Sequence, residues 1–210
     1  MLIREFRQGS ALDLRNKQLT DISPKLWTHT DLTELDLSQN PGIVTLPEDI
    51  DLLINLKKLR VCGNGLVNLP TAILNLRHLG SLELNQNKLA QFFEIDDKTR
   101  KPIQQSQVHL DNLSYLSLNG NQITCVPSVC KYMRQLRQLH LHVNRLTDVR
   151  ELCRKEFEHL EVLDIGNNKI REIPIALVFY LGNLNMLAMV NNDVTSMPSW
   201  IGFHNRLSTL

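Results

Sequence analysis

Two histidines stand two residues apart in the stretch LHLHVNRL, at positions 140 and 142. If this stretch is a strand, His140 and His142 project from the same face. A pair at this spacing could bind a metal ion, act as acid and base, or titrate near neutral pH. Both could equally be ordinary surface residues. The choice depends on the elements that carry the two side chains and on what lies beside them.

Leucines recur along the chain with a period of 23 or 24 residues. The pattern LxxLxLxxN, with conservative replacements, begins at residues 32, 56, 79, 113, 136, 160 and 184. SALDLRNKQL (10–19) is a shortened first copy, and LSTL (207–210) is the start of a further one. One interval, from Leu82 to Leu116, is 34 residues long. Seven matches at one period indicate a solenoid of stacked repeats.

The repeated residue types have a physical explanation. Side chains alternate between the two faces of a strand, so the two leucines of LxL point inward and the residues around them point outward. Stacked copies bury these leucines in a continuous core behind a parallel sheet. The asparagine ends the strand, where its amide can satisfy backbone groups of the turn and of the next copy. The first copy has Lys17 here, and the later copies have Asn40, Asn64, Asn87, Asn121, Asn144, Asn168 and Asn192.

The remainder of each copy returns along the outer side of the solenoid. Five of these segments contain an apolar-Pro-x-x-apolar pattern, as in LPTAI (69–73). Proline fixes φ and favours extended or 3-10 segments over long helices. The copy with TDVRELCRKEFEHLEVL (147–163) lacks proline and has a helical spacing of apolar residues. We therefore expect a short α-helix there.

The pattern resembles that of intracellular leucine-rich-repeat proteins. The form NxLxxLPxxIxxLxxL, seen in GNGLVNLPTAILNLRHL (63–79), is similar to the Ras-suppressor and Scribble-type class of repeats. The resemblance covers residues 10–210 and implies an α/β solenoid, a horseshoe with a parallel concave β-sheet and a mostly irregular or 3-10 convex side. It also implies that the concave face binds another protein. Cysteine-rich caps, which the extracellular branch of the family carries, are not visible, which favours an intracellular location.

The repeats also predict the domain organisation. Residues 1–9 form an N-terminal lead-in, and residues 10–210 form a solenoid of about eight repeats with a partial ninth. The long interval holds an insertion near residues 92–109, which is either a tolerated loop or a contact arm for a second partner. The chain stops two leucines into a strand, so we expect further chain or a partner to cover the C-terminal end.

Composition narrows the class of function. The 210 residues carry a net charge of +1, which gives no reason to expect binding to nucleic acid or to an anionic membrane. The longest apolar run, IPIALVFYL (173–181), is too short to span a bilayer. The N-terminal ten residues hold no signal-peptide core, and four cysteines form no dense disulfide framework. A reduced, cytoplasmic protein is expected.

Catalytic motifs are missing from the sequence, which has no phosphate-binding loop, zinc-ligand spacing or nucleophile elbow. A single curved sheet offers a broad groove instead of a deep pocket, so we expect no enzymatic activity and no cofactor. Cys130 and Cys153 occupy a position where other copies have Ile or Leu, which predicts core residues and no disulfide. Cys62 is expected on the concave face without a base beside it.

The outward positions of the strands differ between the two ends of the predicted concave face. Towards the N-terminus, Asp36, Arg60 and Glu83 form a row of alternating charge, and Glu34 would face Lys58. These charges are either a solvated ladder of weak pairs or a polar half-site for a charged partner. Towards the C-terminus we predict an apolar patch, which marks an interface unless following chain covers it. The patch comprises Val162, Met186, Ala188 and Val190, with Val143 at its margin and Tyr115 further along.

The repeat places His140 and His142 between these two halves, with both imidazoles facing the groove. Asp164 lies beside His140 on the next strand, so its carboxylate is expected to raise the pKa of His140. A metal site of both histidines and Asp164 is geometrically conceivable but lacks supporting residues around it, so no metal is expected. Contact with a partner is the favoured interpretation of both histidines.

A protein-binding role follows from this groove. We expect an interaction module or scaffold that binds a protein partner on its concave face, in signalling or macromolecular assembly. Two alternatives remain: a structural subunit of a large cytoskeletal or ciliary complex, and a regulatory segment of a larger enzyme. The predicted contact residues are Asp36, Arg60, Glu83, Tyr115, His140, His142, Val162, Asp164, Met186, Ala188 and Val190.

Overall fold

Short strands form one sheet in which they follow each other in chain order. The structure, a computed structural model, describes residues 7–93 and 101–195. Within these residues β1 pairs antiparallel with β2, and every later pair of neighbours is parallel. Parallel strands that stack in sequence order are the arrangement expected of a solenoid. The strands are β1 (Arg7–Gln8), β2 (Ala11–Asp13), β3 (Glu34–Asp36), β4 (Lys58–Arg60), β5 (Ser81–Glu83), β6 (Tyr115–Ser117), β7 (Gln138–His140), β8 (Val162–Asp164) and β9 (Met186–Ala188).

The leucines at the centre of the strands lie in register. From β2 to β9, each pairs with the equivalent leucine of the next strand. They belong to one continuous hydrophobic core. Burial of one such side chain contributes roughly 1.5–3 kcal/mol, so the stacked row stabilises the predicted solenoid along its length. The row consists of Leu12, Leu35, Leu59, Leu82, Leu116, Leu139, Leu163 and Leu187.

The asparagines that follow the strands join neighbouring copies. In Asn144, Nδ2 donates to the carbonyl oxygens of Leu118 (2.9 Å) and Leu141 (3.1 Å), and Oδ1 accepts from the Ile123 N–H (3.0 Å). Leu118 and Ile123 belong to the preceding copy, so the amide bridges backwards and not to the next copy as the sequence suggested. The first copy, with Lys17 in this position, follows the antiparallel β1 instead of another repeat.

Single turns of 3-10 helix form much of the outer side. Pro47, Pro70 and Pro127 stand directly before three of them. The fixed φ of proline suits the start of such a turn, which agrees with the apolar-Pro-x-x-apolar pattern. The turns span Pro24–Thr28, Glu48–Leu52, Thr71–Asn75, Gln105–Gln107, Ser128–Tyr132, Arg150–Leu152 and Lys155–Phe157.

The α-helix predicted within residues 147–163 is wrong. Two 3-10 turns occupy that segment and bury Leu152 and Phe157. Arg154 between them is extended, with φ −142° and ψ 147°. The segment therefore advances further per residue than the 1.5 Å of an α-helix, which suits the return path of a copy. An α-helical turn, α1 (Leu177–Tyr180), occurs instead after Pro174, where the sequence predicted a 3-10 or extended segment.

The insertion is anchored at its two described ends. Phe92 and Phe93 are buried, and their ring centroids lie 4.7 Å apart. Ile103 and Val108 are buried where the chain returns to the regular repeat. Residues 94–100 of the predicted insertion lie outside the described residues, as does the partial ninth copy at 207–210 with its proposed cover.

Helices in the described part of the chain are short. None of them is long and apolar enough to cross a membrane.

Candidate functional site

The strand register brings the predicted contact residues into rows on the outward side of the sheet. Neighbouring strands are about 4.8 Å apart, so each row forms a continuous strip of surface. Asp36, Arg60, Glu83, His140, Asp164 and Ala188 occupy the position between the two core side chains of their copies. Tyr115, Val162 and Met186 occupy the position before it. His142 and Val190 each lie two residues after the last residue of a strand, β7 and β9 respectively, in the next outward position.

Internal ion pairs connect the charged side chains at the N-terminal half of the face. Arg60 Nε lies 3.1 Å from Glu83 Oε1, and Arg60 Nη1 lies 3.8 Å from Asp36 Oδ2. Asp36 Oδ2 is also 3.4 Å from Arg15 Nε, and Asp36 is only 6% exposed. The alternating row is present, and its charges are already compensated within the protein.

The expected contact between Glu34 and Lys58 does not form. The two residues are neighbours in the strand register. Lys58 Nζ instead lies 3.4 Å from Glu83 Oε1, on the strand at its other side. Because Glu83 also contacts Arg60, one carboxylate holds two cationic side chains. Glu34 remains exposed at the rim of this network.

His140 packs against an aromatic ring instead of forming an ion pair. The ring centroids of His140 and Tyr115 are 5.1 Å apart, and His140 Nε2 is buried without a hydrogen-bond partner. Burial lowers the pKa of His140, and the opposing effect of the Asp164 carboxylate is smaller. The expected rise of this pKa is therefore wrong, because loss of solvent outweighs the neighbouring negative charge.

Asp164 pairs with His142, the other histidine. Asp164 Oδ1 lies 3.4 Å from His142 Nδ1, and Asn167 Nδ2 lies 3.2 Å from His142 Nε2. Gly166 makes room for the imidazole, since a Cβ there would stand 2.9 Å from His142 Nδ1. The imidazole of His142 is thus held at both nitrogens above a glycine. Asn167 and Gly166 were not predicted as site residues, because their roles depend on how the imidazole is turned.

His140, His142 and Asp164 do not form a metal site in the structure. In residues 7–93 and 101–195, no group of three or more His, Cys, Asp or Glu side chains is arranged to hold a metal ion. His140 contacts Tyr115, and His142 contacts Asp164 and Asn167, so the two imidazoles have different partners.

An apolar surface lies at the C-terminal half of the face. Val162, Met186 and Ala188 are half-buried neighbours on β8 and β9, and Val190 is 57% exposed. Val143, at the margin of this surface, is 48% exposed. These are the positions that the repeat predicted for the patch. Val162, Met186, Ala188 and Val190, with Val143 at the margin, are called the C-terminal patch.

Val143 has an unusual backbone conformation. Its φ is +52°, in the left-handed region that β-branched residues rarely adopt. The equivalent residues of other copies also have positive φ, but they are Gly, Gln or Asn, which tolerate it better. Aligning this position in the repeats would have revealed the anomaly, since Val143 replaces Gly63, Gly120, Gln39, Gln86, Asn167 and Asn191.

A second apolar surface on the outer side was not predicted. Phe179 is 78% exposed and Ile175 is 66% exposed, with the partly exposed Tyr180 next to them in the chain. All three belong to the apolar run IPIALVFYL (173–181), whose first five residues also fit the apolar-Pro-x-x-apolar pattern.

The cysteines have no disulfide partners. Cys130 is buried and Cys153 is half-buried, and none of the four cysteines forms a disulfide. The prediction of Cys130 as a core residue is confirmed. Burial raises the pKa of the Cys62 thiol, with smaller effects from neighbouring groups. A raised pKa leaves little thiolate at neutral pH, which makes Cys62 a poor nucleophile.

Comparisons with known proteins find the same repeat. The leucine-rich-repeat family model matches residues 134–194, and a model of two such repeats matches residues 111–154. Tsukushi of Gallus gallus is 26% identical, over 91% of this chain and 64% of its own length. Ras guanine nucleotide exchange factor V of Dictyostelium discoideum is 33% identical, over 68% of this chain and 8% of its own length. The chain thus spans less than two thirds of these relatives.

A solved structure has the same architecture. The leucine-rich-repeat ectodomain of the receptor kinase GASSHO1/SCHENGEN3 from Arabidopsis thaliana is 25% identical, with a TM-score of 0.71. The match covers 90% of this chain and 22% of that ectodomain chain. Together with the ordered parallel sheet and the matching repeat models, this likeness shows that the chain folds as a leucine-rich-repeat solenoid.

Proposed function

We propose that the chain is a protein-interaction module or scaffold that binds a protein partner on its concave face, in signalling or macromolecular assembly. The C-terminal patch carries this proposal, because it places the exposed Val190 beside half-buried apolar neighbours on a continuous sheet. Contiguous apolar surface beside polar side chains is typical of interfaces. The solved ectodomain supports the proposal, since it is described in complex with CASPARIAN STRIP INTEGRITY FACTOR 2.

We also propose an intracellular, cytoplasmic location and a place in the Ras-suppressor and Scribble-type class. Four cysteines that form no disulfide suit a reducing compartment. The segment GNGLVNLPTAILNLRHL (63–79) supports the class, because its proline precedes a 3-10 turn at Thr71–Asn75 as the pattern requires. We further propose that these residues bind without catalysing a reaction.

A second candidate function is a regulatory segment of a larger signalling protein. The match to Ras guanine nucleotide exchange factor V favours it, since 68% of this chain aligns with only 8% of that protein. In such an arrangement the solenoid would recruit a partner while another part of the protein acts on it. Both candidates use the same concave face.

The test is a quantitative capture experiment with three forms of the chain. Wild-type protein, Val190→Asp and Val67→Asp are used as baits in lysate from native cells, with cross-linking and mass spectrometry. Val67 is 48% exposed and lies beyond the Asn64 turn, outside the concave rows, so it is a matched control. A buried charge at a central apolar contact should reduce recovery of a genuine partner by about tenfold.

The control should recover the same partner as wild-type protein. Thermal unfolding followed by circular dichroism must show that both variants fold. Equal recovery with all three folded baits would rule out the C-terminal patch as the binding surface.

A further inference from the structure

Asp164 differs from Asp36 and Glu83, two other carboxylates of the concave face, because no Lys or Arg in the described part of the chain pairs with it. Asp36 and Glu83 both lie within ion-pair distance of Arg60. Among the described residues, the ion-pair partner of Asp164 is His142 alone, at 3.4 Å. An imidazole is not an obligate cation, whereas a guanidinium is. Asp164 therefore brings negative charge to the face without a permanent positive charge beside it.

The two oxygens of Asp164 are used unequally. Oδ1 accepts from the Gly166 N–H at 3.1 Å and faces His142 Nδ1. Within residues 7–93 and 101–195, Oδ2 makes no hydrogen bond or ion pair. The buried polar atoms without a partner do not include Oδ2, so this oxygen is in contact with solvent. The side chain is 20% exposed. One carboxylate oxygen is therefore accessible from the groove with its full acceptor capacity.

Apolar side chains border Asp164. Ala188 is its neighbour in the strand register, and Val162 precedes it by two residues on the same face of β8. Met186 pairs with Val162, and Val190 is exposed beyond β9. A charge interaction at a partly desolvated site is stronger than one in open water. A partner that covers this surface removes water from the Asp164 carboxylate. Burial of this charge costs binding free energy unless the partner supplies a cation.

The N-terminal half of the face is less suited to hold such a cation. Its carboxylates are already paired, with Arg60 between Asp36 and Glu83 and Lys58 on Glu83. A cationic group from outside would have to displace a resident side chain. Glu34 is exposed at the rim, where ion pairs contribute little. The carboxylate of Asp164, beside which no described Lys or Arg lies, repels phosphate groups, so a protein segment is a better fit here than a nucleic acid.

We infer that the concave face between β7 and β9 binds a protein segment through two adjacent side chains of that segment. A Lys or Arg side chain of the segment contacts Asp164 Oδ2, and an apolar side chain of the segment packs against Met186 and Val190. This inference rests on the proposed function and specifies the chemistry of the partner. The cationic side chain donates a hydrogen bond to Asp164 Oδ2, and the apolar side chain covers the C-terminal patch.

The first part of the test is a selection from a displayed library of random twelve-residue peptides with the full chain as target. Enriched peptides should carry a Lys or Arg next to a large apolar residue. One enriched peptide is then synthesised with a fluorophore, and its Kd is measured by anisotropy. Asp164→Asn should weaken binding by about tenfold, as expected for loss of a charge-assisted hydrogen bond. Asp111→Asn, an exposed carboxylate in the turn before β6, should bind as wild-type protein does.

The second part measures coupling between the two charges. Replacing the basic residue of the peptide by norleucine keeps the carbon chain and removes the charge. This peptide should bind wild-type protein about tenfold more weakly than the parent peptide and should lose no further affinity on Asp164→Asn. Because the wild-type protein is unchanged in this comparison, its outcome does not depend on the folding of a variant.

The outcomes separate this inference from the proposed function. If Val190→Asp abolishes peptide binding but enriched peptides lack basic residues or Asp164→Asn binds normally, the inference is overturned and concave-face binding stands. If Val190→Asp leaves binding unchanged, the peptides bind elsewhere, which contradicts both. A selection that enriches no peptide also counts against both.

Discussion

His140 and His142 share a strand face but have different chemical environments. His142 lies over Gly166 with its nitrogens facing Asp164 and Asn167, so it belongs to a polar cluster. His140 packs on the Tyr115 ring with Nε2 buried. A spacing of two residues places both imidazoles in the groove, but the packing around His140 removes it from solvent and lowers its pKa.

The lowered pKa of His140 predicts a loss of stability in acid. Because burial lowers this pKa in the folded state, the unfolded chain binds the proton more readily. The unfolding free energy should be highest above the unfolded histidine pKa of about 6.5 and should fall as the pH decreases below it, until the lower folded pKa is passed. Tyr115 and Asp164 on the two neighbouring strands and His142 two residues along the chain are titratable side chains near His140.

Urea unfolding at pH 7.5 and at pH 5 measures this effect. His140→Gln should lose less stability between the two pH values than wild-type protein does, since glutamine cannot take up the proton. The exposed His78 provides the control, and His78→Gln should keep the wild-type difference. Identical pH dependence in all three proteins would exclude His140 as the source.

Val143 predicts a conflict between stability and binding. Its positive φ costs a β-branched residue on the order of 1–2 kcal/mol, and asparagine tolerates this region better. Val143→Asn should therefore raise the unfolding free energy by about 1 kcal/mol in urea titration. The same change should weaken partner binding, because it removes an exposed apolar side chain from the margin of the C-terminal patch.

The control for this prediction is Val67→Asn, at an exposed valine without positive φ. Its stability should change by less than about 0.5 kcal/mol. A destabilised Val143→Asn protein would mean that packing of the valine outweighs its backbone strain.

At the scale of the elements, hydrogen bonds of one asparagine side chain support the turn after each strand from β3 to β9. Asn144 connects the end of β7 to the copy of β6 through both its amide and its carbonyl group. Leucine in this position would leave these backbone groups buried and unpaired. The asparagine row is therefore as much a part of the sheet as the strand pairing is.

Asn144→Leu should lower the unfolding free energy by about 2–4 kcal/mol, since several buried backbone groups lose their partners. Chemical denaturation measures the change. The exposed Asn68 provides the control, and Asn68→Leu should change stability by less than about 0.5 kcal/mol. If both variants lose the same small amount, water replaces the amide and the bridge between copies is not stabilising.

The outer elements follow the sequence less closely than the strands do. Pro47, Pro70 and Pro127 predicted their 3-10 turns correctly, because proline restricts the local backbone directly. The segment without proline has a helical spacing of apolar residues, yet it forms two 3-10 turns around the extended Arg154. This segment must cover the distance between two stacked strands, and that requirement outweighs its local preference for an α-helix. The spacing of apolar residues in the sequence does not specify this distance.

At the scale of the whole molecule, the stacking of copies turns single residues into surfaces. Within a single copy, each of these outward side chains would face solvent alone. The register of neighbouring strands brings Asp36, Arg60 and Glu83 together, so their opposite charges compensate each other. The same register leaves Asp164 and Val190 as the charged and apolar parts of an open surface. The capture experiment with Val190→Asp belongs to this scale, because it tests a surface that no single copy contains.

The solenoid, its core leucines, its asparagine row and the outward position of every predicted contact residue can be derived from the sequence, because period-two and 24-residue spacings are properties of the chain alone. Only the folded structure decides three further features. Asp164 pairs with His142, Lys58 pairs with Glu83, and His140 is buried. Long side chains reach across strands by distances and rotations that repeat spacing does not specify, and desolvation depends on all neighbours together.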